Sequence, residues 1–384
     1  MIQVSNPPAA QPAPHYIFLF LEVFECEGGI QSYIQDILKA FLALPNSPKA
    51  TIFLLRDGPN CLNPFGQHSA LQFRYFKTVP AALGRIRLAA ALAIYLIQHR
   101  PKRVFCGHVR LAPLTAALCQ PLSIPYTVLT YGKEVWYPLP PADRKAIQSA
   151  KRIWTISRYS RDMVCQANQL ERDRIDLLPC VVEGQAFTPG SKSPELLAKY
   201  GLDGHRVLMT VARLWSGDIY KGVDVTIRAL STIAQTFPTV KYLVIGRGDD
   251  QPRLARLAAE LGVADRVVFA GFVLTEALAD HYRLADAYVM PSQEGFGIVY
   301  LEAMACGVPV LSGDSDGSAD PLQGGRLGWQ VPHRDVAAVA AACIEMLKGR
   351  DRRCDGAWLR QETLAKFSHP ALVKQLQTLL AASL

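Results

Sequence analysis

The stretch PSQEGFGIVYLEAMACGVPVL at residues 291–311 decides the fold. An apolar run at 287–290 reads as a strand that ends in a loop where Gly295 and Gly297 bracket Phe296. A helix then runs to about Cys306, Gly307 suits its C-terminal cap, and Val308 to Leu311 begin the next strand. Strand, loop, helix and strand in this order make the unit of a parallel sheet covered by helices. The loop sets free amides at Phe296, Gly297 and Ile298 at the carboxyl end of the strand. With the helix dipole such amides bind phosphate.

The same alternation extends in both directions. Strands are predicted at 16–21, 50–55, 103–106, 126–129 and 152–155, with helices at 30–44 and 83–98 between them. The pattern restarts with strands at 206–211, 241–245, 267–270, 287–290 and 309–311. Between the two series, residues 183–194 (EGQAFTPGSKSP) break the periodicity with Gly, Pro and Ser. The expected fold class is therefore α/β, with two Rossmann-like doubly wound domains facing across a cleft. The first covers residues 1–186 and the second 187–365, while 366–384 form a C-terminal helix that packs back on the first. Ligands of such sheets bind at the carboxyl ends of the strands.

Charge is unevenly placed along the 384 residues. Residues 1–185 hold 20 basic and 12 acidic side chains, against 21 and 21 in the remainder, so the net +8 resides in the first half. Such a bias fits an anionic partner there, a phosphorylated ligand, a membrane surface or nucleic acid, and equally a merely solvated basic surface. Two basic amphipathic regions carry the excess, 83–98 with Arg85 and Arg87, and 144–174 with Lys145, Lys151, Arg152, Arg158, Arg161 and Arg172. Aromatic interleaving is sparse and no nucleic-acid motif is present, which argues against RNA or DNA as partner. No segment reads as a membrane span, the best being 16–24, which Glu22 interrupts. Residues 1–15 read as a loose Pro- and Ala-rich tail rather than a signal peptide. Nine cysteines without a C-x-x-C pair indicate reduced thiols and a cytoplasmic protein, peripheral at most on a membrane.

Glu302 lies five residues beyond Gly297, about 7.5 Å along a helix axis. That offset separates a diphosphate from the ribose of a nucleotide, and a carboxylate there accepts bonds from both ribose hydroxyls. Glu294 stands eight residues earlier, off the helix, and would reach another part of the ligand.

The whole string EGFG…EAMACGxPV resembles the retaining GT-B glycosyltransferases of the large family four, also termed glycosyl transferases group 1. The resemblance spans roughly residues 16–380. It implies that Glu294 contacts the donor sugar and Glu302 holds the ribose. The family's V-G-R-L and K-G-x-D elements are matched by Val211-Ala212-Arg213-Leu214 and Lys221-Gly222-Val223-Asp224, with Ala212 in place of the Gly. Arg213 offers a guanidinium fork and Lys221 a point charge to a diphosphate that gains charge as the sugar departs. Gly28 and Gly29, within EGGIQSY after the first strand, match a loop that closes over that diphosphate. His108, after the strand at 103–106, matches a residue placed near the donor hexose. Tyr131-Gly132 departs from the family's His-Asp or His-Gly, and Lys133 and Glu134 beside it are acceptor-side candidates.

Asp314-Ser315-Asp316 spells D-x-D, a metal-binding pattern of a different glycosyltransferase fold, but its late position reads as a polar turn. No metal and no other cofactor is expected. Gly317-Ser318-Ala319-Asp320 stands where relatives carry G-G-x-x-E, a change on the donor side of the pocket. The expected function is retaining transfer of a hexosyl group from a nucleotide-diphosphate sugar to a saccharide or lipid-linked hydroxyl acceptor, in polysaccharide or glycolipid synthesis. A UDP-sugar is favoured over GDP-mannose as donor. A nucleotide-sugar epimerase and a catalytically inert sugar-nucleotide-binding scaffold of the same fold are the alternatives.

Overall fold

A computed structural model describes residues 14–26, 28–45 and 48–382. The tail expected at residues 1–15 falls almost wholly outside the described residues, as does Glu27 of the EGGIQSY stretch.

Two parallel sheets organise the chain. The first contains β1 (His15–Phe20), β2 (Lys49–Leu54), β3 (Leu71–Tyr75), β4 (Arg103–Cys106), β5 (Tyr126–Thr130), β6 (Arg152–Thr155) and β7 (Ile175–Leu177), in spatial order β3-β2-β1-β4-β5-β6-β7. Its helices are α1 (Gly29–Leu42), α2 (Ala81–His99), α3 (Ala112–Cys119), α4 (Pro141–Gln148) and α5 (Arg158–Asn168). After α6 (Pro194–Tyr200), the second sheet holds β8 (Arg206–Val211), β9 (Val240–Ile245), β10 (Val267–Gly271), β11 (Ala287–Met290), β12 (Val310–Gly313) and β13 (Trp329–Val331), in order β10-β9-β8-β11-β12-β13. Its helices are α7 (Val223–Thr236), α8 (Gln251–Glu260), α9 (Thr275–Leu284), α10 (Ile298–Ala305) and α11 (Val336–Lys348). The chain ends with α12 (Gly356–Phe367) and α13 (His369–Ala381), the latter packed on α1. Gln375 of α13 donates to the Leu177 carbonyl at 2.5 Å.

Strand order reverses beside β1 in the first sheet and beside β8 in the second, so each sheet splits its loops at that point and opens a crevice. The central strands are apolar on both faces because helices cover both. Ile17, Phe18, Leu19 and Phe20 of β1 and Val207, Leu208 and Met209 of β8 are buried. The three strands absent from the sequence reading, β3, β7 and β13, all lie at sheet edges.

Two expectations about the first half are corrected. Residues 144–174 do not form one basic face, because α4, β6 and α5 divide them and most of the arginines have partners. Arg152 is paired with Asp176, Arg161 and Arg172 with Asp162, and Arg158 with Asp320 of the second domain. The statement that no segment is long and apolar enough to cross a membrane also fails. Among the described residues one helix, α2, meets that criterion by length and composition, since its outward side is nearly as apolar as its inward one.

Candidate active site

Facing loops of the two sheets enclose a cavity of about 570 Å³. From the first domain come Gly28, Gly29, Lys133 and Glu134, and from the second Arg213, Lys221, Glu294, Phe296, Gly297 and Ile298. Ten of the residues singled out in the sequence thus share one space. Arg213 follows β8 and Glu294 follows β11, the two strands that flank the reversal in the second sheet.

Backbone shape explains the loop after β11. Gly297 caps α10 with φ 86°, where a side chain would also strike the Tyr300 ring. At Gly295 the backbones of the two domains approach closely. A Cβ there would lie 2.8 Å from the Tyr131 carbonyl oxygen, and Ser160 donates to the Gly295 carbonyl at 3.5 Å. The loop is also held from behind by Asp316, whose carboxylate accepts from the Glu294 amide at 2.6 Å and the Ser318 amide at 2.8 Å. Burial pushes this carboxyl group up to about 7. The second Asp of the D-x-D pattern is therefore engaged as a clamp on the Glu294 loop. Among the described residues no cluster of three or more His, Cys, Asp or Glu could hold a metal ion.

Two of the cavity's cations are paired with carboxylates and a third lies over an aromatic ring. Lys221 makes an ion pair with Glu294, both side chains being less than one-fifth exposed. Arg213 donates to Asp218 at 2.7 Å, which raises its pKa further, and its guanidinium lies 5.4 Å from the Trp215 ring. Lys133 crosses from the first domain to place its ammonium 3.2 Å from the centroid of Tyr220, and burial lowers its pKa. Asp218 and Tyr220 escaped the sequence reading, which noted Asp316 only as part of a polar turn. Asp218 and Tyr220 stand between Arg213 and Lys221 in the chain, so position alone pointed to them.

Three candidates behave differently from expectation. Glu134 lines the cavity, but its carboxylate accepts from the amides of Tyr131 at 2.5 Å and Gly132 at 2.9 Å, so it shapes its own loop. His108 does not line the cavity. Its Nδ1 accepts from the Arg110 amide at 3.1 Å and caps a short turn, and burial, with Arg110 and Arg56 nearby, lowers its pKa. Glu302, half-buried on α10, also lies outside the cavity lining, and it accepts from the Tyr282 hydroxyl at 2.7 Å. Burial pushes its carboxyl group up to about 7. A further residue, Asp57, was missed altogether. It accepts from the amides of Val23 at 2.7 Å, Phe24 at 3.1 Å and Glu25 at 2.9 Å, and so sets the loop that leads to Gly28 and Gly29.

Comparison with known proteins places this geometry in context. Residues 205–349 match the model of the family described as glycosyl transferases group 1. A GDP-mannose-dependent alpha-(1-6)-phosphatidylinositol monomannoside mannosyltransferase of Mycolicibacterium smegmatis is 33% identical over 57% of this chain and 59% of its own length. Its namesake from Mycobacterium tuberculosis is 32% identical over 64% of this chain and 67% of its own. The chain therefore aligns with about three-fifths to two-thirds of these relatives. Among solved structures, HepE of Anabaena in complex with UDP superposes with a TM-score of 0.77 at 19% identity, covering 96% of this chain and 99% of that one. At that identity the likeness concerns the fold, two Rossmann-like domains in the GT-B arrangement.

Proposed function

Because this chain belongs to the glycosyl transferases group 1 family, we propose that it transfers a hexosyl group from a nucleoside-diphosphate sugar to a hydroxyl acceptor with retention at the anomeric carbon. The observation that carries this reading is the meeting of Arg213, Lys221 and the N-terminus of α10 around one cavity, with Glu294 beside them.

In the proposed reaction the bond between the anomeric carbon and the diphosphate breaks, and charge grows on the leaving oxygen. Arg213 and Lys221 face that charge from preorganised positions, and the amides at Gly297 and Ile298 add their dipoles. The acceptor oxygen bonds to the anomeric carbon on the same face, and its proton passes to the departing phosphate. No protein nucleophile is needed. Glu294 is held beside Lys221 and orients the sugar, while Glu302 reaches the ribose only after releasing Tyr282 or sharing its bond. Because side-chain cations fill the role of a Lewis acid, the reaction proceeds without a bound metal.

The two mannosyltransferase relatives are named for GDP-mannose, and we therefore place GDP-mannose ahead of the UDP-sugar first favoured. The product belongs to a glycolipid or polysaccharide. The unpaired state of all nine cysteines supports a cytoplasmic site of action. The test is release of nucleoside diphosphate from GDP-mannose or UDP-glucose, with hydroxyl acceptors supplied, and assignment of the product anomer by NMR. Acceptor-dependent release and a retained anomer are expected. Conversion of the donor sugar without acceptor would instead identify an epimerase.

A further inference from the structure

The three carboxylates and three cations that line the interdomain cavity do not pair off evenly. Asp218 is spent on Arg213, and Glu294 on Lys221. Glu134 turns both of its oxygens to the amides of Tyr131 and Gly132. Lys133 is left over. Among the described residues it makes no ion pair or hydrogen bond, and its ammonium rests only against the Tyr220 ring, 3.2 Å from the centroid.

The lysine is aimed there by its own turn. Tyr131 follows β5 and its hydroxyl donates to the Gly107 carbonyl at 2.6 Å, while the Val135 amide donates to the Gly132 carbonyl at 3.0 Å. With Glu134 gripping two amides of the same turn, its backbone is fixed, and Lys133 crosses from it to a ring of the second domain. That ring also lies 5.4 Å from the Lys221 ammonium. Two ammonium groups from different domains thus gather at one aromatic side chain. Burial lowers the pKa of Lys133 most. Asp218 and Glu294 pull it up from beyond ion-pair distance, and Lys221 and Arg213 push it down. Like charges that converge on a partly dry site, with the nearby carboxylates already engaged, gain most from an anion that carries several charges.

We propose that Lys133 binds the diphosphate of the nucleotide sugar, as the cation that the first domain contributes to the donor site, and does not serve the acceptor. The inference rests on the glycosyl-transfer reading and deepens it. An acceptor hydroxyl is neutral and offers the ammonium no charge. A diphosphate offers several, and Lys133 can exchange the π face for it without breaking an ion pair. Arg213 and Lys221 reach the same anion from the second domain, so the diphosphate ties the two domains together through Lys133, and donor binding favours the closed cleft.

The test is calorimetric titration of the full chain with GDP and with UDP, no acceptor present, on wild type, Lys133→Met and Lys133→Arg. Methionine keeps an unbranched side chain and removes the charge. It is expected to weaken the nucleotide that binds wild type about 10–100-fold and to flatten the salt dependence of that binding. The melting temperature without nucleotide is expected to stay within about 4 °C of wild type, since no carboxylate loses its partner. Arginine keeps the charge and is expected to recover most of the lost affinity. The proposal is overturned if Lys133→Met binds GDP and UDP as wild type does, which would return the lysine to the acceptor side. It is also overturned if Lys133→Arg binds as weakly as Lys133→Met, or if Lys133→Met no longer folds, since either result would make the residue structural. Failure of the glycosyl-transfer reading shows differently, as no binding of GDP or UDP by wild type, and this inference falls with it. Binding that is lost in Lys221→Ala but kept in Lys133→Met refutes the role of Lys133 alone.

Discussion

Lys221 and Glu294, 73 residues apart in the chain, form an ion pair inside the interdomain cavity. The two residues come from opposite sides of the strand reversal, one from the turn before α7 and the other from the loop after β11. Each compensates the other's charge, and a diphosphate in the cavity would take over part of the lysine. Lys221→Ala leaves Glu294 half-buried without its cation. It is expected to cost about 1–3 kcal/mol of stability and to lower turnover about 10²–10³-fold. Lys221→Ala combined with Glu294→Gln is expected to recover stability but not turnover. Chemical denaturation and steady-state kinetics on the single and double variants check this.

Burial pushes Asp36, Glu302 and Asp316 up to about 7 in the folded chain. Each group keeps its proton in the folded state while the unfolded chain releases it from about pH 4 upward. Stability from these groups is complete below that point and falls as pH rises toward 7, after which both states are ionised. Glu302→Gln removes one such proton exchange. Relative to wild type it is expected to be about 1–2 kcal/mol more stable at pH 8 than at pH 4, a range that allows for partial solvent access. Melting temperatures of the two proteins across this pH range would show equal slopes if Glu302 were an ordinary surface carboxylate.

The two domains meet backbone to backbone at Gly295. A Cβ at this position meets the Tyr131 carbonyl oxygen at 2.8 Å, a distance that requires one of the two backbones to move. Gly295→Ala is expected to hold the cleft more open and to lower kcat at least tenfold with small change in melting temperature, since the clash lies between domains. Small-angle scattering and kinetics measure the two effects, and an unchanged kcat would show that closure bears no such load.

Asp316 spends its carboxylate on the Glu294 amide and on Ser318, and the cations that face the proposed diphosphate are side chains. Transfer is therefore expected to survive treatment with EDTA at full rate. Loss of activity restored by added magnesium or manganese would contradict this. Asp316→Asn keeps one acceptor oxygen and is expected to be milder than Asp316→Ala, which frees the loop.

What could be read from the sequence follows from where each residue sits. Interior strands such as β1 and β8 are covered on both faces and show as continuous apolar runs. β3 (LQFRY), β7 (IDL) and β13 (WQV) are edge strands with mixed composition and were invisible for that reason. Arg213, Lys221, Glu294 and the Gly295 to Ile298 loop were legible because each sits at a fixed step from a strand end. Their partners were not. Asp218 and Tyr220 are ordinary polar residues until folding brings them to the cavity, and Asp316 until folding sets it behind the Glu294 loop. The basic character of residues 144–174 misled because composition does not reveal that Asp162, Asp176 and Asp320 neutralise the arginines. His108 stands at a strand end as expected, yet it turns to cap the Arg110 amide.

The central claim is that the cavity around Arg213 and Lys221 holds a nucleoside diphosphate. Calorimetric titration with GDP, UDP and ADP and a parallel thermal-shift series, on wild type and on Lys221→Ala, test it most directly. One nucleoside diphosphate is expected to bind wild type, to stabilise it by about 2.7 kcal/mol at a hundred times its dissociation constant, and to lose that effect in the variant. Absence of binding by all three, or equal binding by wild type and variant, would contradict the account.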